Sequence, residues 1–140
     1  MEILPYVWIG DKDNMTDDIF IKNNNIKCII NCTKNCPNSS VKHEYRIPLT
    51  RNYFDERNNI LDHFEYANRI IDENIENSVP MLICCEEGKQ VSPTIVGSYM
   101  IQFGRVEPEK IISCIQSKCA DAFMPTPFFL ESLEIFQKKL

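Results

Sequence analysis

The chain has 140 residues, 44% of them hydrophobic and 25% charged, which is enough for one domain around one core. A net charge of −5 argues against nucleic-acid or anionic-membrane binding, and there is neither an apolar run long enough to span a bilayer nor a signal-peptide pattern. Seven cysteines, an odd number at 28, 32, 36, 84, 85, 114 and 119, lack the paired CxxC units of a structural zinc site, so no metal or cofactor is expected and the thiols read as reduced.

Residues 3–10 alternate apolar side chains and close on Gly10, predicting a strand with a turn after it. Thr16 is then placed to cap a short helix with Asp17 and Asp18 in its first turn, where the helix dipole favours negative charge, and Asn23 to Asn25 end it. Residues 26–33 predict a second strand, with Cys28, Ile30 and Cys32 on one face as small core side chains. Lys34 to Val41, punctuated by Pro37-Asn38-Ser39-Ser40, reads as a loop, and residues 43–49 as a third strand with His43 exposed. From Ile60 to Asn77 the residues Ile60, Phe64, Ala67, Ile70 and Ile71 recur at helical spacing.

Residues 80–85 predict a fourth, buried strand ending in Cys84-Cys85, followed by a loop containing Gly88 and a largely apolar helix from Ser92 to Phe103, ended by Gly104. Glu107 to Lys118 predicts another helix, acidic early and basic late, with Ile111, Ile112, Ile115 and Cys119 facing inward. Met124 to Phe136 predicts a last helix docked by its aromatics. The sum is a single α/β domain over 1–140: a central, mostly parallel sheet of four or five strands with helices on both faces.

The organising stretch is Val79 to Met100, a strand, loop and helix start. Such a loop gathers unpaired backbone N–H groups at the positive end of a helix and makes an anion cradle, and a cysteine at its base is biased toward thiolate. On its own, Cys84-Cys85 at the end of an apolar strand reads more often as two small buried hydrophobes than as a nucleophile.

The stretch resembles the signature loop H-C-x-x-G-x-x-R-S/T of cysteine-dependent protein phosphatases, in the dual-specificity branch. Ungapped, Cys84 stands at the His, Cys85 at the nucleophile, Gly88 at the Gly, Val91 at the Arg and Ser92 at the hydroxyl, with Glu86, Glu87, Lys89 and Gln90 completing the phosphate loop. Four further segments resemble the family: residues 3–10, 26–33, 43–49 and 124–136. The resemblance implies a dual-specificity phosphatase fold whose departures cluster at chemistry. Val91 has no polar atom to grip phosphate oxygens, Glu86 and Glu87 bring carboxylates toward a dianion's seat, and the general-acid position falls on Arg51, which cannot release its proton, unless the loop presents Asp55 instead.

Two functions follow as expectations. One is a catalytically inactive pseudophosphatase, a regulatory module that binds a protein partner, with a phosphoprotein or a kinase as candidates. The alternative is a low-activity cysteine phosphatase in which Cys85 attacks phosphate and Lys89 or Arg51 replaces the missing positive charge. In the first reading Arg51 or Lys89 pairs with Glu86 or Glu87 and closes the cradle without a ligand; the competing placement sends both glutamates to water. A cytoplasmic or nuclear location is expected, and the asparagine- and lysine-rich composition suggests an AT-rich genome such as that of a large DNA virus or a protist. Homodimerisation is left open.

Overall fold

In the computed structural model, which describes residues 1–140, five strands form one sheet in the order β1-β2-β5-β3-β4. β1 (Glu2–Leu4) and β2 (Val7–Gly10) pair antiparallel, whereas β2 with β5 (Met81–Cys84), β5 with β3 (Cys28–Asn31) and β3 with β4 (His43–Arg46) are parallel. The fold is thus α/β and mostly parallel, as the alternation of strand and helix patterns predicts. One strand is divided: residues 3–10 form a hairpin, because Tyr6 adopts φ +73° and turns the chain back after Pro5. The apolar alternation of Ile3, Val7 and Ile9 runs on across that turn, so the sequence reads as one strand.

β3 and β5 are buried at every residue, as strands covered on both faces must be. Period-two alternation then sorts their side chains between two cores. Cys28, Ile30, Cys32, Met81, Ile83 and Cys85 face the larger one, under α3 (Tyr53–Glu76), α4 (Val91–Gly104), α5 (Pro108–Gln116) and α6 (Leu130–Lys139). Ile29, Leu82 and Cys84 face a smaller one with Met15 and Ile26, beside α1 (Lys12–Met15) and α2 (Asp18–Asn23). β4 lies at the sheet edge, and His43 is exposed as expected.

Several boundaries differ from the sequence reading. Thr16 caps no helix start; it is the C-cap of α1, and the carboxylates of Asp11 and Asp17 take the two N-cap roles, each accepting from two backbone N–H groups. α3 starts seven residues before Ile60, because Asn52 caps it and its first two turns bury only Glu56, leaving no apolar period to read. α4 is buried on all sides from Val91 to Ser98 and ends where Arg105 turns left-handed at φ +54°, with Gly104 still helical. It packs so closely on α5 that a Cβ on Gly97 would lie 2.7 Å from Ile111 Cγ2. α6 begins only at Leu130, since Met124 to Phe128 spend their backbone groups on the Gln90 side chain instead of a helix.

Candidate phosphate-loop site

The parallel strands deliver their C-terminal ends to one edge, where residues 85–90 join β5 to α4. Because neighbouring strand residues point to opposite faces, the two adjacent cysteines part company. Cys84 turns into the smaller core, fully buried, with its sulfur 3.6 Å from the Ile30 carbonyl, and burial pushes its thiol far up from the ordinary range. Cys85 turns to the cradle. Its sulfur accepts from the Gly88 N–H at 3.2 Å and the Ser92 N–H at 3.4 Å, and it lies 3.3 Å from Ser92 Oγ. N–H groups converging on a sulfur at the start of a 14-residue helix favour negative charge at that point.

The loop is held from two sides. Gly88, at φ +72°, passes the β2–α1 turn so closely that a Cβ would meet Gly10 C at 3.0 Å and Asp11 N at 3.1 Å, which restricts the position to glycine. On the other side Lys89 O accepts from Phe123 N–H at 2.6 Å. The buried Gln90 side chain donates to Met124 O and Thr126 O, each at 3.0 Å, and accepts from Phe128 N–H at 3.2 Å. Gln90 thus spends its whole amide on fixing a neighbouring segment.

The contents of the cradle differ from a free anion site. Arg51, on the loop after β4, forms an ion pair with Glu87 and lies 3.7 Å from Glu86 across the mouth. These are the chain's two salt-bridge contacts. Lys89 takes no part in them and is exposed. Val91, 2% exposed, lines the space from the α4 side and joins the larger core. Cys32, Leu49, Thr50, Tyr53, Cys85 and Glu86 complete the lining with Arg51. The free space above the sulfur is about 10 Å³, room for one water and too little for a tetrahedral oxyanion.

Asp55 is not in this lining. It sits in the first turn of α3, where Asn52 Nδ2 donates to its carboxylate at 2.6 Å. Helix capping has claimed the side chain that a bent loop was to present. Two neighbours escaped the sequence reading because residues 50–59 carry no apolar period. Tyr53 lines the space with a hydroxyl pushed up to about 12, chiefly by burial and then by Glu87. Glu56, buried, accepts from the Thr50 N–H at 2.9 Å and so fixes the loop that carries Arg51. No three His, Cys, Asp or Glu side chains are grouped to hold a metal ion, and no helix is long and apolar enough to cross a membrane.

Residues 7–139 match the family described as dual specificity phosphatase, catalytic domain. Dual specificity protein phosphatase 2 of Mus musculus is 28% identical over 120 residues, covering 84% of this chain and 37% of that protein. The chain spans well under half the length of the curated relatives it matches. Among solved structures, human DUSP28 superposes with a TM-score of 0.86 at 15% identity, over 99% of this chain and 95% of the other. A human tyrosine phosphatase-like serine/threonine/tyrosine-interacting protein gives 0.84 at 16% identity, over 99% and 95%. At these identities the structural likeness speaks for the fold alone.

Proposed function

The chain belongs to the dual-specificity phosphatase family, and we propose that within it this protein is a catalytically inactive pseudophosphatase, a regulatory module that binds a protein partner. The observation that carries the reading is the filled cradle: Arg51 lies across it on Glu86 and Glu87, and the wall that must grip phosphate is the apolar Val91. Transfer of a phosphoryl group to Cys85 would need a cation for the equatorial oxygens and a proton for the leaving oxygen. Val91 supplies neither, and the Arg51 guanidinium holds its proton and is already paired. The module then keeps the fold as a surface for binding. Its partner on this reading is a phosphoprotein or a kinase, met inside the cell, in the cytoplasm or nucleus, where the seven free thiols stay reduced.

A second reading, a slow cysteine phosphatase, draws on one observation. The Cys85 sulfur keeps its N–H donors from Gly88 and Ser92. In that reading the Cys85 thiolate attacks phosphorus, the alkoxide or phenoxide leaves, and water later cleaves the thiophosphate. Turnover of an aryl phosphate by the wild type and by Cys85→Ser separates the two. Equal, background-level rates are expected; Cys85-dependent turnover of about 1 s⁻¹ or faster would reject the inactive assignment.

A further inference from the structure

At the opposite end of the sheet from the phosphate loop, the N-terminal ends of β3 and β4 border an open cavity of about 560 Å³. Its floor is apolar: Ile21, Ile26 and Val41, continuous with the smaller core beneath α2, and Val79, packed against the larger core. Its rim carries two lysines, with His43 beside them. Lys27, Lys42 and His43 are all exposed there, no carboxylate lines the cavity, and neither lysine has an ion-pair partner anywhere in the chain. The one acid bonded to the lining is Asp18, which accepts from Ser40 Oγ at 3.2 Å. Glu44, next to His43, is not in the lining, and its carboxylate accepts from Ser39 N, Ser39 Oγ and Asn31 Nδ2. In a chain of net charge −5 this is a local reversal of sign.

Beside the cavity runs β4, the edge strand, paired only with β3. The outer side of an edge strand presents backbone N–H and C=O groups to any extended segment laid along it.

We propose that this edge and cavity form a docking site for an acidic, extended segment of a partner protein, with one aliphatic side chain seated between Ile21, Ile26, Val41 and Val79 and flanking carboxylates on Lys27 and Lys42. The volume suits one such anchor and its neighbours, within the range of about 300–1,000 Å³ found for ligand sites. The β4 edge supplies main-chain pairing, and the unpaired lysines supply the selection for acid. The site lies away from Cys85, so the proposal stands whether or not the cradle is catalytically silent.

The test is an amide chemical-shift titration of the wild-type protein with a capped hexapeptide alternating aspartate and leucine. Saturable shifts at Val41, His43 and Val79 are expected, and the Lys27→Glu/Lys42→Glu double variant should bind about tenfold more weakly, as expected for two exposed charge pairs reversed. A peptide with lysine for aspartate should not bind, and one with serine for leucine should lose most of its affinity. Because both lysines are exposed, a dispersed spectrum of the double variant verifies that its fold is kept. Shifts confined to another face, undiminished binding by the double variant, or full affinity of the serine peptide would each overturn the proposal.

Discussion

Replacing Glu86 and Glu87 together by glutamine removes the latch without changing side-chain size, and its consequence can be worked from the geometry. Glu86 lines the space over Cys85, and Glu87 beside it pairs with the Arg51 that lies across the mouth, the three side chains being between about one-third and two-thirds exposed. In bulk-water dielectric, a unit charge pair separated by about 6 Å is worth about 0.7 kcal/mol. A phosphate dianion over the sulfur meets two such carboxylates, so four unit repulsions sum to about 3 kcal/mol before screening, and a Debye length of about 8 Å cuts this to about 1.4 kcal/mol. The double variant should therefore bind inorganic phosphate about tenfold more tightly than the wild type. The Gly88 and Ser92 amides, whose N–H groups face the Cys85 sulfur, are the reporters in an NMR titration. Stability should change little, since an exposed pair contributes at most about 1 kcal/mol. If the variant binds phosphate no better than the wild type, the carboxylates do not exclude the anion. If wild type already seats phosphate over Cys85 at micromolar concentration, the cradle is not closed.

Val91→Arg alone should give at most weak aryl-phosphate turnover, because the new guanidinium enters beside Glu86 while Arg51 still bars the mouth. Each missing transition-state contact costs about 2.7–4 kcal/mol, and turnover approaching an ordinary phosphatase from this single change would show the site otherwise intact. Gln90→Ala should destabilise the fold by about 2–4 kcal/mol in urea denaturation, since it strands Met124 O, Thr126 O and the Phe128 N–H. A loss below about 0.5 kcal/mol would mean that the clamp is replaced by water. Burial holds the Cys32 and Cys84 thiols protonated well above their ordinary range in the folded protein. The unfolded chain releases those protons near pH 8.5, so their contribution is complete below about that pH and falls as pH rises toward the folded values, by up to about 1.4 kcal/mol per unit per thiol. The melting temperature should thus drop between about pH 8.5 and pH 10, less steeply in Cys84→Ala, and equal slopes for the two proteins would refute the assignment.

The sequence by itself determined the architecture, because each cue it carries is local. The apolar runs at β3 and β5, too short for a helix, read as strands covered on both sides, and the period of Ile60, Phe64, Ala67 and Ile71 reads as a helix with one inner face. It also determined what the cradle lacks, since a valine at position 91 carries no polar atom in any conformation. Elements whose ends are set by polar side chains were not legible in the same way. The start of α3 at an Asn52 cap and the exchange of Thr16 for Asp11 and Asp17 depend on which of several competent capping residues finds its N–H partners.

Tertiary structure decided the rest, for a reason of distance along the chain. Arg51 and Glu87 are 36 residues apart, and Gln90 and Thr126 are also 36 apart, so neither pairing leaves a trace in local pattern. The choice between glutamates facing water and glutamates holding Arg51 was open in the sequence because both satisfy a carboxylate. It was settled only when the loop after β4, pinned by Glu56, was brought over the loop after β5. The same packing took Asp55 out of the site by giving its carboxylate to the Asn52 cap, and put Tyr53 in its lining. The division of labour between Cys84 and Cys85 stands halfway. The alternation that separates them is written in the strand, but which face holds the cradle is fixed only by where α4 lies.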